Sequence, residues 1–124
     1  LEPSLAAKAR RLEEITQENL LTLSIAINYG GKDEIVHAFN NLAKKGKTCI
    51  SSEDIASELY TAGIPDPDLI VRTAGEMRLS NFLMWQSPYS EFYFTDTLWP
   101  DMTSKDIDKA VEEFYSRQRR YGKV

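Results

Sequence analysis

DPDLIVRTAGEMRLSNFLMWQSPYSEFYFTDTLWP, residues 66–100, is the stretch from which the rest of the chain is read. Leu69-Ile70-Val71 is an apolar run of strand length, and Thr73-Ala74-Gly75 behind it does not easily continue either a strand or a helix. Arg72 therefore falls at a strand's carboxyl end. In an open α/β sheet that end is where ligands sit, because the loops leaving it diverge and open a crevice. Arg78 follows six positions after Arg72, past the turn. Two guanidiniums brought to one crevice repel each other unless an anion lies between them. The planar fork of arginine, charged at any working pH, suits phosphate oxygens. Ser80-Asn81 then opens Phe82-Leu83-Met84-Trp85, a helix-start pattern that predicts free backbone N–H groups beside the same anion. A diphosphate satisfies this set. On residue types alone, surface ion pairs of the two arginines with Glu76, Asp66 or Asp68 satisfy it equally well.

Glu91 interrupts Tyr89-Ser90-Glu91-Phe92-Tyr93-Phe94, a segment otherwise rich in strand-forming aromatics. A magnesium ion takes only one or two protein carboxylates and completes its octahedron with water and substrate phosphate, so one glutamate beside a diphosphate is sufficient. Strand alternation offers the plainer reading, in which Glu91 faces solvent and Phe92 and Phe94 face the other way.

Outward from this stretch the chain alternates helix and strand, which predicts an α/β fold: a mainly parallel sheet flanked by helices. Residues 3 to about 18 read as a helix with Leu5, Ala9, Leu12 and Ile15 near one face, and residues 21–28 as a central strand. Gly30-Gly31 makes a turn. From Asp33 to about Lys45, Ile35, Val36, Phe39, Leu42 and Ala43 recur at helical spacing. Ser51 or Ser52 caps a short helix over residues 53–60, and Gly63, Pro65 and Pro67 end that segment before the Leu69 strand. Beyond Pro100, Thr103 or Ser104 caps a last helix with Ile107, Ala110, Val111, Phe114 and Gln118 along one side. Asn28-Tyr29-Gly30-Gly31 reads as a tight turn rather than a phosphate cradle, and His37, the single histidine, as a surface or satisfied side chain. The aromatics Phe82, Trp85, Tyr89, Phe92, Tyr93, Phe94 and Trp99 read as core and subunit interface.

Composition sets limits. The chain has 124 residues, enough to bury about two-thirds of its unfolded surface. Its net charge of −4 argues against nucleic acid as a partner. The single cysteine, Cys49, cannot form an intrachain disulfide, which suits a reducing cytoplasm and reads as a small buried hydrophobe. No run of about 18 apolar residues is available to span a membrane.

Four segments together resemble the cis-prenyltransferases, specifically the carboxyl-terminal half of undecaprenyl diphosphate synthases. They are residues 23–35 (LSIAINYGGKDEI), 66–73 (DPDLIVRT), 75–83 (GEMRLSNFL) and 91–100 (EFYFTDTLWP). The resemblance implies that residues 1–124 are the carboxyl-terminal portion of one such domain. It implies that Arg72, Arg78 and Ser80, with Leu79 in the same loop, bind the diphosphate of isopentenyl diphosphate, and that Glu91 binds Mg²⁺. It also implies a homodimer in which Arg120 and Gly122, from an Arg-x-Gly element, reach a phosphate across the subunit interface; a solvated basic helix end is the alternative for that tail. The family's Asp-Gly-Asn-Gly-Arg run is absent here, so no catalytic residue is expected within these residues. An interior start at Leu1 fits that expectation.

The implied activity is condensation of isopentenyl diphosphate with an allylic diphosphate such as farnesyl diphosphate, giving a long polyprenyl (undecaprenyl) diphosphate, a cell-wall lipid carrier. These residues alone would be inactive. The implied enzyme is cytoplasmic and visits the membrane surface with its lipid product. The competing reading is a non-catalytic partner subunit of a heteromeric cis-prenyltransferase, against which the retention of Arg72, Arg78, Ser80 and Glu91 weighs.

Overall fold

The computed structural model describes residues 2–16 and 20–118. The elements run α1 (Pro3–Ile15), α2 (Gly31–Lys44), α3 (Ser52–Glu58), β1 (Leu69–Arg72), β2 (Glu91–Phe94), a 3-10 turn at Trp99–Asp101, and α4 (Ser104–Ser116). The strands pair in parallel, Leu69 opposite Glu91 and Arg72 opposite Phe94, so Arg72 does close a strand at its carboxyl end. Helices and a parallel strand pair give the α/β class expected.

The core is built on α2 and α3. Ala38 and Leu42 of α2 meet Ile55 of α3 and Leu59 just after it, with Ile50 and Trp85 packed against them. Ala38 and Leu42 stand one helical turn apart on one face. Glu34, a further turn toward the amino end, continues that face and is fully buried at 0% exposure. Apart from that cluster, α4 packs against β2, with Ala110 buried on the helix and Tyr93 on the strand.

Helix starts follow short-range chemistry. Ser51 caps α3 through a reciprocal box: its hydroxyl accepts from the Asp54 N–H at 3.2 Å, while the Asp54 carboxylate accepts from the Ser51 N–H at 2.9 Å. Thr103 and Asp106 do the same for α4. Lys47 donates to Asp54 at 2.5 Å, and that bond, followed by those from Ser51, draws the carboxyl down to about 2. A folded-state value below the ordinary 3.8 means that this carboxyl stabilises the fold above about pH 4, and that the contribution fades as pH falls through about 2. Asp54→Asn is therefore expected to lower the thermal midpoint at pH 7 and to converge with wild type near pH 2. Equal midpoints at pH 7 would remove Asp54 as a stabilising cap.

Three expectations are corrected. Residues 21–28 form no strand; Leu21, Leu23, Ile25 and Ile27 are exposed. A strand needs a neighbour to close its ladder of hydrogen bonds, and no described strand pairs with this segment. Helix α1 ends at Ile15 and buries none of its residues, so its apolar face has no partner among the described residues. Cys49 is exposed, because it precedes Ile50 in the loop between α2 and α3 and only Ile50 turns inward.

Candidate functional site

The turn behind β1 decides where the arginines go. Ala74 and Gly75 both adopt left-handed backbone, φ 65° and 68°. Their N–H groups donate to Thr97 and Thr95 carbonyls, each at 3.0 Å, and the Thr95 N–H donates to the Arg72 carbonyl at 3.0 Å. A Cβ on Gly75 would stand 3.0 Å from an oxygen of the exposed Asp96 side chain, which can give way, so it is the left-handed backbone that favours glycine here. The chain folds back on itself, and Arg72 donates from Nη1 to the Arg78 carbonyl. Arg72, Arg78 and Leu79 thereby line one crevice of about 180 Å³ with Ile70, Phe82, Phe92 and Phe94. Phe92 and Phe94 stack with ring centres 6.0 Å apart and form its wall. These aromatics therefore flank the arginines instead of filling the core, where Tyr93 alone of the strand is buried.

Within this crevice Arg78 pairs with Glu76, one of the ion pairs foreseen for it, and keeps 65% of its side chain exposed. Ser80 follows Leu79 in the turn but is not part of the crevice wall. The helix expected at residues 82–85 is absent. Ser80, Asn81 and Leu83 have φ of 48°, 68° and 46°, and a right-handed helix cannot pass through left-handed residues. Asn81 instead serves α2, its carbonyl accepting from the Gly31 N–H at 2.7 Å and its side chain from the Lys32 N–H at 2.9 Å. The Gly30-Gly31 turn is thus occupied by the protein itself. A side chain on Gly31 would meet Met84, its backbone nitrogen included, at 2.8–2.9 Å.

Glu91 is not beside the arginines. It opens β2, whereas Arg72 ends β1, and the register sets them three residues apart, about 10 Å along the strands. Alternation also turns Glu91 to the sheet face opposite Phe92 and Phe94. There Arg117 donates to Glu91 Oε2 at 2.9 Å and pairs with Glu113 through its other amino group. These two bonds, that to Glu91 first, raise the Arg117 guanidinium above its ordinary value. A hard carboxylate with one oxygen engaged fits a dication that draws its remaining ligands from water and phosphate. No group of three His, Cys, Asp or Glu assembles a metal cage among the described residues. Arg120 and Gly122 lie outside the described residues. His37 is exposed and bonds to Asn41 at 3.1 Å.

Sequence reading missed a buried polar hub. Glu34 Oε2 accepts from the Tyr29 hydroxyl at 2.5 Å and from Gln86 Nε2 at 3.1 Å, and Oε1 accepts from the Tyr60 N–H at 2.8 Å. Burial, then the neighbouring Glu34, push the Tyr29 phenol up to about 12, so it stays a donor. The signal was present: Glu34 heads the i, i+4, i+8 row of Ala38 and Leu42, where an apolar residue is the rule. Above the hub, Tyr29, Tyr60, Ile64 and Phe82 help to line a largely apolar groove of about 570 Å³.

Against known proteins, the prenyltransferase family model for undecaprenyl diphosphate synthase matches residues 1–122. An isoprenyl transferase of Fusobacterium nucleatum is 53% identical over 97% of this chain and 52% of its own length. One from Thermus thermophilus is 45% identical over 98% of this chain and 50% of its own. A probable undecaprenyl diphosphate synthase from Campylobacter jejuni superimposes with a TM-score of 0.86 at 35% identity, over 99% of this chain and 58% of that one. Lavandulyl diphosphate synthase from Lavandula x intermedia, in complex with dimethylallyl diphosphate, superimposes with a TM-score of 0.92 at 35% identity, over 99% and 56%. The chain spans about half the length of the curated relatives it matches.

Proposed function

The chain belongs to the undecaprenyl diphosphate synthase family of prenyltransferases, and from that membership we propose that it is the carboxyl-terminal portion of a cis-prenyltransferase and carries the isopentenyl diphosphate site. The supporting observation is the crevice at the carboxyl end of β1, with Arg72, Arg78 and Leu79 set against Phe92 and Phe94. Cationic forks on one side and an apolar wall on the other match a ligand with a diphosphate head and a short hydrocarbon tail. Arg72 and Arg78 bind the diphosphate, Ser80 offers a hydroxyl from the turn just outside the crevice wall, and Phe92 and Phe94 exclude water from the isoprenoid end. The solved neighbour bound to dimethylallyl diphosphate supports an allylic diphosphate as co-substrate.

In this reaction the double bond of isopentenyl diphosphate attacks the allylic carbon, diphosphate departs, and a proton is lost from the new unit. These residues contribute chiefly positioning, by holding the nucleophile in one orientation. Glu91 is the residue that would hold Mg²⁺, which when bound would neutralise charge on the departing diphosphate. The exposed Ile107, Val111 and Tyr115, one helical turn apart on α4, offer an apolar stripe for a homodimer contact. No helix among the described residues is long and apolar enough to cross a membrane. The long-chain product assigns the enzyme a peripheral role at the membrane surface.

The test is incorporation of radiolabelled isopentenyl diphosphate by the full-length protein with farnesyl diphosphate and Mg²⁺. Lipid-extractable label is expected, abolished by a chelator and reduced at least about tenfold in Glu91→Gln. Absence of incorporation by a folded protein overturns the reading, and undiminished activity in Glu91→Gln removes Glu91 from the metal site.

A further inference from the structure

We propose that Arg117 competes with a divalent cation for Glu91, and so sets how weakly the free cation binds. This rests on the reading of Glu91 as a metal ligand. Arg117 stands immediately after α4 and reaches back to β2, where its Nη1 donates to Glu91 Oε2 at 2.9 Å. Its other amino group pairs with Glu113, which holds the guanidinium in place from the helix side. The side chains of Arg117 and Glu91 are 34% and 26% exposed, so the pair is partly withdrawn from water and its charges are less screened than at an open surface.

A dication arriving at Glu91 meets a fixed positive charge at hydrogen-bond distance from its own ligand. It must displace the guanidinium from Oε2 or coordinate Oε1 beside it. Either route is opposed by the Coulomb repulsion of a single against a double charge. Among the described residues Glu91 Oε1 accepts no hydrogen bond, so the open oxygen lies across the same carboxylate from the guanidinium, still within reach of its repulsion. Removing the charge, with Glu113 kept, leaves two carboxylates facing the site and no cation between them. A phosphate ligand reverses the balance, since the guanidinium can turn to a phosphate oxygen and release Glu91. Arg117 is thus a positioning residue that acts through Glu91.

The experiment measures Mn²⁺ binding to the full-length protein without substrate, from the loss of the free Mn²⁺ paramagnetic resonance signal. The variants are Arg117→Gln, Arg117→Lys, Glu91→Gln and the double variant, with thermal melts confirming that each is folded. Arg117→Gln is expected to bind Mn²⁺ about tenfold more tightly than wild type. Arg117→Lys should stay near wild type because the charge is kept, and the double variant should bind as poorly as Glu91→Gln. Unchanged or weaker binding in Arg117→Gln, with binding still lost in Glu91→Gln, overturns the competition and leaves the metal reading standing. Wild-type binding in Glu91→Gln overturns the metal reading, and the proposal with it.

Discussion

Replacing Arg72 with Ala in the full-length enzyme is expected to lower kcat/KM for isopentenyl diphosphate more than the same change at Arg78, although both face the same crevice. Hydrogen bonds to a charged partner are each worth about 1.5–3 kcal/mol, so loss of one guanidinium costs roughly ten- to hundredfold. Arg78→Ala should show that loss alone. Its side chain is mostly exposed and its partner in the free protein is Glu76, an adjacent surface pair of little net stability. Arg72→Ala removes a second interaction, because Arg72 also donates to the Arg78 carbonyl and so pins the loop that presents the other guanidinium. Its cost should reach the upper end of that range or pass it, with turnover falling as well as KM rising. Arg72→Lys should be intermediate, keeping the charge but losing the fork that serves carbonyl and phosphate together. Steady-state kinetics with varied isopentenyl diphosphate separate the three variants. Unchanged kinetics in both alanine variants would remove the crevice as the substrate site.

The arginines were legible because short-range rules govern them. An apolar run of strand length, stopped by residues that continue neither strand nor helix, is enough to locate Arg72 at the end of β1. The caps at Ser51 and Thr103 were legible for the same reason, since each box closes within three residues. What the sequence could not carry are properties of pairs. Residues 21–28 have strand composition, but a strand exists only with a neighbour. Asn81 looks like the start of its own helix until its side chain is seen serving the amino end of α2, 49 residues earlier. Glu91 and Arg72 are close in sequence and carry complementary chemistry. Only the strand register shows that they occupy opposite ends and opposite faces of the sheet.

Glu34 gives the largest stability effect expected in the chain. Its carboxylate gathers three donors from three separate segments: the Tyr29 hydroxyl before α2, the Tyr60 N–H after α3, and the Gln86 amide beyond the arginine loop. Glu34→Ala would leave all three without this acceptor, the Gln86 amide in a buried setting and the other two in part-buried ones, and add a cavity. Each orphaned buried donor costs about 1–3 kcal/mol, and relaxation recovers part of the sum, so a loss of about 3–5 kcal/mol is expected. Gln86 cannot compensate easily: its Oε1 is already buried without a partner among the described residues, and its remaining bond, from Nε2 to Thr61 at 2.9 Å, stays within the same pocket. Tyr29→Phe deletes one donor and its demand together, so it should cost only about 1 kcal/mol. Glu34→Gln keeps the volume and one acceptor oxygen, and should fall between the two. Denaturant unfolding of the full-length protein orders the three variants. A Glu34→Ala loss no larger than that of Tyr29→Phe would show that water reaches the site and replaces the carboxylate, and that the hub does not tie the segment after the arginine loop to α2.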